Sequence, residues 1–205
     1  SGDVATEIPA WGPRDYYKAS FYQNNTASFI SETGYHGCPS PESIKKFITP
    51  DKVFPYFDNK EWNLHSTDKM YSNHRVMLMH DQVIQLFGDV PTNLEDYSTA
   101  SQISQAEAKK FFIERLRARR PHSSGIIWWN MLDGWPQMSD AVVDYYFDKK
   151  LAYHYIKKAQ RDFSIFLGET ANWGNRIYAS NCTLEKKSGT FKVVCVDDGK
   201  TYAEG

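Results

Sequence analysis

Apolar residues follow two patterns along most of the chain. Two short apolar runs, each ended by turn residues, predict buried strands at 27–31 and 126–129. Apolar residues three and four positions apart predict helices, and these cover residues 14–22, 41–47, 73–87, a long stretch from Asn93 or Thr99 to Pro121, and 150–160. Short strands that alternate with long helices predict an α/β fold.

The pattern changes after Arg161. The runs 163–167, 176–181 and 190–196 are strand-like and separated by turn residues, which predicts the opening of an all-β sandwich. A sandwich of immunoglobulin type needs about seven strands, so the sandwich is predicted to be incomplete at Gly205. We therefore predict an α/β domain at 1–163 and a partial β-sandwich at 164–205.

Composition narrows the possible functions. The 205 residues are 41% hydrophobic and 15% aromatic, which predicts a folded chain rather than a disordered one. The net charge is −1, so no overall field favours nucleic acid or an anionic membrane as a partner. No apolar run reaches the ~18 residues of a transmembrane helix, and no signal peptide is visible. The arginines near Pro121 are interpreted as cations on a solvated face at a helix terminus.

The cysteines and histidines predict no metal site. Cys38 stands alone, and Cys182 and Cys195 flank a predicted hairpin turn. A cross-strand disulfide between them is possible in an oxidising compartment, but two buried thiols are the simpler interpretation. None of these residues has zinc-ligand spacing, so we expect neither a metal nor another cofactor.

Chemically interesting residues follow the two predicted strands. Glu32 follows the first strand, and Trp128, Trp129 and Asn130 end the second. In β/α barrels, reactive groups lie at the C-terminal ends of strands. A carboxylate beside tryptophans is typical of a sugar site, because indole stacks on a pyranose ring and the carboxylate attacks or stabilises the anomeric centre. On these residues alone, a solvated glutamate and packed tryptophans remain open alternatives.

Four ordered motifs between Ser28 and Phe163 resemble the β-mannosidase-like branch of the family 2 glycoside hydrolases. The first motif, FISETGY at 29–35, is similar to a Ser-Glu-x-Gly segment at the family's seventh barrel strand, and the second, SQISQAE at 101–107 with ERLR at 114–117, is similar to the helix before the eighth strand. The third, GIIWWNMLDGWP at 125–136, is similar to the eighth-strand segment Gly-x-x-Tyr-Trp-Gln-Leu-Asn-Asp-x-Trp-Pro. The fourth, VDYYFDKKLAYHY at 143–155, is similar to the stretch Val-Asp-Tyr-x-x-x-x-Lys-x-x-x-Tyr that follows. Asn130 and Leu132 stand where the family usually has Gln and Asn.

This resemblance implies the C-terminal portion of a (β/α)8 TIM barrel, with strands seven and eight and their helices, followed by the start of an immunoglobulin-like sandwich. It aligns Glu32 with the nucleophile of a retaining β-glycosidase and Trp129 with the tryptophan that floors the subsite of the reacting sugar. The other predicted substrate-binding residues are Trp128, Asn130, Asp133, Trp135 and His36.

The resemblance also predicts what is absent. Retaining hydrolysis needs a second carboxylate, which the family takes from an Asn-Glu pair after its fourth strand, and this sequence has no Asn-Glu pair. Glu7, the one glutamate before Glu32, has no predicted strand ahead of it. We therefore expect a fragment that carries the nucleophile of a β-mannosidase-like exo-glycosidase without its general acid, and that is inactive alone.

The expected partners are a β-linked oligosaccharide or glycoside, and either the rest of the parent chain or a second copy. A periplasmic or secreted location is expected rather than a cytoplasmic one. Two alternatives remain: a non-catalytic carbohydrate-binding or structural module, and, with least support, a protein-interaction module built on the β-rich tail.

Overall fold

The computed structural model describes residues 7–66, 75–169 and 174–205. The chain divides into two compact units, Ser1–Ala159 and Gln160–Gly205. The predicted domain boundary after residue 163 falls inside the first strand of the second unit, and the assignment of two domains stays a prediction. The predicted first residues of the helix at 73–87 lie partly outside the described residues.

Within the described residues, the first unit contains three strands and six α-helices. They are β1 (Glu7–Pro9), α1 (Ser20–Gln23), β2 (Phe29–Gly34), α2 (Pro41–Ile44), α3 (Lys60–Leu64), α4 (Arg75–Phe87), α5 (Leu94–Ala118), β3 (Gly125–Trp129) and α6 (Leu151–Ala159), with a 3-10 turn at Pro50–Lys52. The helix predicted at 14–22 is wrong over most of its length, because only Ser20–Gln23 is helical there.

The strands form one parallel sheet in the order β1-β2-β3. The sequence predicted two strands and a loop at the start of the chain, which is wrong for Glu7–Pro9. Strand β2 carries one more residue than each neighbour between Ile30 and Thr33, so its register shifts against both β1 and β3. Such a bulge bends a strand and redirects the side chains beside it.

Helix α5 is the longest helix and packs on α4, α6 and β3. The Asn93 side chain accepts a hydrogen bond from the N–H of Asp96 at 2.9 Å and caps the helix. Glu95 and Asp96 lie in the first turn, where negative charge is favourable. These features explain why the helix begins at Leu94.

Four apolar clusters of buried residues form the core of the first unit. The cluster around Trp62, Met79 and Tyr97 joins α3, α4 and α5. Ile113 and Ile156 belong to a second cluster, where α5 packs on α6. Leu116 of α5 shares a third cluster with Ile30 of β2, and Ile126 of β3 packs against it, so α5 covers one face of the sheet.

The arginines at the end of α5 bind backbone carbonyls. Arg115 donates to a carbonyl of α1 at 3.2 Å, and Arg117 donates to the last carbonyl of α6 at 2.6 Å. Arg119 donates to the carbonyls of residues 25 and 26 at 2.7 and 2.8 Å. The prediction of a solvated face is wrong, because these half-buried cations connect α5 to α1, α6 and the segment before β2.

In the described part of the second unit, two antiparallel pairs are present: β4 (Phe163–Leu167) with β5 (Ile177–Asn181), and β6 (Lys192–Val194) with β7 (Thr201–Glu204). The three predicted strands are therefore present, and β7 is an additional strand. No disulfide joins Cys182 to Cys195. Cys182 is exposed and Cys195 is half-buried, so the prediction of two buried thiols is wrong.

Candidate active site

The C-terminal ends of the three parallel strands lie at one edge of the sheet. Chain segments leave this edge at Ala10, Gly34 and Trp129. Thr33 is opposite Trp128 and Gly34 is opposite Trp129 in the register of β2 and β3. The predicted nucleophile Glu32 and the two tryptophans are thus brought together on neighbouring strands at this edge.

Glu32 is held by the segment that follows β1. The indole N–H of Trp11 donates to Glu32 Oε2 at 2.7 Å, and the N–H of Ala10 donates to the carbonyl of Glu32 at 2.7 Å. Thr33 Oγ1 donates to the carbonyl of Ala10 at 3.1 Å. The bulge in β2 lies directly before Glu32. One carboxylate oxygen is therefore fixed by an indole donor while Glu32 itself remains half-buried.

Gly34 allows Trp11 to approach Glu32. A Cβ atom at position 34 would lie 2.5 Å from Trp11 Cζ3 and 2.5 Å from Asp140 Oδ1. The guanidinium of Arg14 lies 4.9 Å from the centre of the Trp11 ring, which is a cation–π distance. The Trp11 ring is therefore enclosed by β2, Arg14 and the Asp140 side chain.

The two tryptophans at the end of β3 differ in exposure. Trp128 is half-buried and packs against the α5–α6 cluster, whereas Trp129 is 48% exposed. The peptide bond between Trp129 and Asn130 is cis. Within the described residues, Asn130 Oδ1 is buried without a hydrogen-bond partner, which leaves an acceptor beside the exposed indole.

Asp133 and Trp135 lie on the loop after β3 and belong to one hydrogen-bonded chain. Trp135 Nε1 donates to Gln137 Oε1 at 2.5 Å, and Gln137 Nε2 donates to Asp133 Oδ1 at 2.6 Å. Ser139 Oγ donates to the same oxygen at 2.6 Å. Burial raises the pKa of the Asp133 carboxyl, while a nearby lysine and these donors oppose the rise. Trp135 is half-exposed and stacks on His65.

His36 is buried beneath the residues at the end of the sheet and is not exposed to solvent. It is 1% exposed, and its Nδ1 lies 3.2 Å from Asp140 Oδ1. Burial lowers the pKa of His36. Burial also opposes ionisation of Asp140, but His36, Lys109 and Arg14 together lower the pKa of that carboxyl to about 2. Asp140 is therefore a buried carboxylate anion, and the predicted contact of His36 with substrate stays a prediction.

A polar stripe on α5 contacts the loops that carry these residues. Ser101 Oγ accepts from the N–H of Cys38 at 3.0 Å, and Gln105 Nε2 donates to the carbonyls of residues 35 and 140 at 3.0 Å each. Lys109 Nζ donates to the carbonyl of Trp129. These three side chains are buried and four residues apart, so they share one face of the helix.

Sequence reasoning missed Asp140 and Lys109 as site residues, and it favoured a packing role for Trp11 over a place in the sugar site. Trp11 follows a strand of three residues, which is too short to produce a hydrophobic period. One indication was the spacing of Ser101, Gln105 and Lys109, because polar residues at i, i+4 and i+8 run through an otherwise apolar face.

Across the described residues, no group of three His, Cys, Asp or Glu side chains is placed to hold a metal ion. No helix in the described ranges is long and apolar enough to cross a membrane.

Known proteins with similar sequences are glycoside hydrolases. The exo-β-D-glucosaminidase of Arthroderma benhamiae is 26% identical over 160 residues, which cover 73% of this chain and 18% of that protein. β-Mannosidase B of Thermothelomyces thermophilus is 25% identical over 179 residues, covering 77% of this chain and 20% of that protein. The chain thus spans about a fifth of the length of these relatives. No protein-family model matches the chain.

Solved structures give the same picture. The β-D-mannosidase of Dictyoglomus thermophilum superposes with a TM-score of 0.77 at 26% identity, over 97% of this chain and 24% of that one. The exo-chitosanase of Amycolatopsis orientalis superposes with a TM-score of 0.61 at 23% identity, over 78% of this chain and 20% of that one, a likeness of fold alone. The chain is therefore related to glycoside hydrolases and shares their α/β fold.

Proposed function

We propose that this chain carries the nucleophile half of a retaining β-glycosidase site, in the C-terminal part of a (β/α)8 barrel of the family 2 type. The observation that carries the proposal is the carboxylate of Glu32, held by Trp11 at a bulge in a parallel strand. This carboxylate lies on the strand next to the exposed Trp129. The second unit, with its two antiparallel pairs, is the start of the following β-sandwich.

The chemistry follows from this arrangement. A Glu32 oxygen attacks C1 of a β-linked sugar, the bond from C1 to the leaving-group oxygen breaks, and water later hydrolyses the glycosyl ester. Trp129 supplies an apolar face for the sugar ring. The loop after β3 borders the site with the half-exposed Trp135, and the buried Asp133 holds this loop by accepting from Gln137 and Ser139. Asn130 lies beside Trp129 on the same loop, Trp128 packs behind Trp129, and His36 lies beside Asp140.

The leaving group needs a proton donor from elsewhere. Asp140 is a second carboxylate near Trp11, and with a pKa of about 2 it is ionised at neutral pH and cannot donate a proton. This observation supports a nucleophile-bearing part of a larger enzyme, and it also keeps a non-catalytic carbohydrate-binding module as the second candidate. In the described sheet, β1 and β3 each pair on one side only, which favours further strands from the parent chain or a second copy as partners.

A mechanism-based label tests the nucleophile without needing the missing acid. 2-Deoxy-2-fluoro-β-D-mannosyl fluoride loses fluoride on attack, so the Glu32 ester forms without proton donation and then hydrolyses slowly. The expected result is one added fluorodeoxyhexosyl group, mapped to Glu32 by peptide mass spectrometry. Glu32→Gln is expected to abolish labelling, and Glu42→Gln, an exposed glutamate on α2, is the matched control.

The outcomes separate the two candidates. Labelling of Glu32 in the wild type and in the Glu42→Gln variant supports the nucleophile. If no adduct forms while methyl β-D-mannoside still binds, the carbohydrate-binding module replaces the enzyme. Labelling that persists in Glu32→Gln refutes the role of Glu32.

A further inference from the structure

Lys109 is a buried lysine near the sugar-binding edge. It lies on α5, is 1% exposed, and donates from Nζ to the carbonyl of Trp129. The same Nζ lies 5.9 Å from the centre of the Trp128 ring, at the outer limit of a cation–π contact. One side chain therefore binds the backbone of Trp129 and lies near the ring of Trp128.

Burying this ammonium is costly, which calls for a function beyond filling space. Burial lowers the pKa of Lys109 to about 8, with Asp140 opposing the shift and Lys150 adding to it. A methionine would fill a similar volume without desolvating a charge. The ammonium is retained by one hydrogen-bond acceptor, the Trp129 carbonyl, and by the favourable charge of the Asp140 carboxylate nearby.

The carbonyl of Trp129 is at the point where β3 ends and the site loop begins. The next residues are paired with the second half of that loop, since the N–H groups of Val142 and Val143 donate to the carbonyls of Asn130 and Met131 at 3.1 and 2.9 Å. Lys109 anchors the peptide immediately before this pairing to α5. Fixing that carbonyl fixes the direction in which the Trp129 side chain leaves the backbone.

We propose that Lys109 is a positioning residue, which holds the end of β3 so that the exposed indole of Trp129 is presented to a sugar ring. This inference rests on the proposed function, because it assumes that Trp129 contacts the sugar. Lys109 acts through Trp129 and does not itself touch the ligand.

The test uses the full chain labelled with 5-fluorotryptophan, which gives six fluorine resonances from its six tryptophans. Trp129→Phe assigns the Trp129 resonance, and the probes are methyl β-D-mannoside and methyl β-D-glucosaminide. In Lys109→Met, the Trp129 resonance is expected to shift, the resonance of the core residue Trp62 to stay, and affinity for the better probe to fall about tenfold. Lys110→Met, at a half-exposed neighbour on the same helix, is the matched control.

A second variant separates an effect of Lys109 on stability from an effect on the position of Trp129. Lys109→Met removes one of the groups that stabilise the Asp140 carboxylate and leaves His36 and Arg14, whereas Lys109→Met/Asp140→Asn removes the buried ammonium and the buried carboxylate together. If stability returns in the double variant while the Trp129 resonance and the affinity remain changed, positioning is supported. If affinity returns with stability, or if Lys109→Met leaves the resonance and the affinity unchanged, the proposal is wrong. Failure of both sugars to shift the Trp129 resonance in the wild type refutes the proposed function instead.

Discussion

Replacing Gly34 by alanine tests the arrangement around Glu32 directly. The added methyl group would lie 2.5 Å from Trp11 Cζ3, 2.6 Å from Trp11 Cη2 and 2.5 Å from Asp140 Oδ1. Nonbonded carbon atoms prefer about 3.5–4.0 Å, so the indole or the strand must move by about 1 Å. Overpacking of this kind costs about 1–3 kcal/mol. The backbone at Gly34 is not in the left-handed region, so the cost comes from the neighbours alone.

The same displacement has a functional consequence. The Trp11 indole donates to Glu32, so a shift of its ring weakens the hydrogen bond that fixes the carboxylate. Gly34→Ala is therefore expected to lower both the urea midpoint and the rate of Glu32 labelling by the fluorosugar. Gly189→Ala is the matched control, because Gly189 lies outside the candidate site, and a Cβ there meets no atom within 4 Å and should change stability by less than about 0.5 kcal/mol.

The assay is urea unfolding followed by tryptophan fluorescence, with labelling rates measured by intact mass. If Gly34→Ala and Gly189→Ala have equal midpoints and equal labelling rates, Trp11 does not pack on Gly34 as described. Loss of stability with an unchanged labelling rate would contradict the contribution of Trp11 to Glu32 and leave the packing argument intact.

Three further predictions concern other parts of the molecule. Phe147 has φ +66° and is 75% exposed, so Phe147→Gly should raise the free energy of unfolding by about 1 kcal/mol, and a lower urea midpoint would contradict this. The pKa of Asp140 falls from 3.8 to about 2 on folding, so its ionisation contributes about 2 kcal/mol to the free energy of unfolding above pH 4, and this contribution is lost as the pH falls toward 2. In Asp140→Asn, the free energy of unfolding should therefore change less with pH between 4 and 2. An unchanged slope would count against an ionised Asp140. Burial raises the pKa of Cys38 to about 12, so iodoacetamide at pH 8 should modify the exposed Cys182 and reach Cys38 only in urea, as peptide mapping would show.

The elements predicted correctly are those with a long or local pattern. Helix α5 was predictable because its apolar spacing continues over many turns and Asn93 marks its start. Strand β1 was not, because three residues show no period and the strand exists through pairing with β2, twenty-two residues away at Glu7 and Phe29. The arginines were misjudged for the same reason, since their carbonyl partners come from other elements.

The candidate site shows the same difference between residues placed by a local pattern and residues placed by long-range contacts. Glu32 and Trp129 each end a short apolar run, which made them candidates, and the resemblance to glycoside hydrolases was needed to pair them in one site. Trp11 joins Glu32 across 21 residues, a contact that only the register of β1 on β2 creates. Sequence therefore predicts which residues end the strands, while the folded sheet decides which side chains orient them.

The polar stripe of α5 combines a local sequence pattern with contacts to distant parts of the chain. Ser101, Gln105 and Lys109 interrupt an apolar face at four-residue spacing, a pattern that costs desolvation unless each polar group finds a partner. All three side chains bind backbone groups, which lie in the loops after β2 and β3 or at the last residue of β3. Loop backbone lacks the partners that a helix or sheet provides, so a helix that buries polar side chains beside such loops satisfies both at once. A polar stripe in a buried helix face can therefore mark the sheet edge where irregular, site-forming loops must be held.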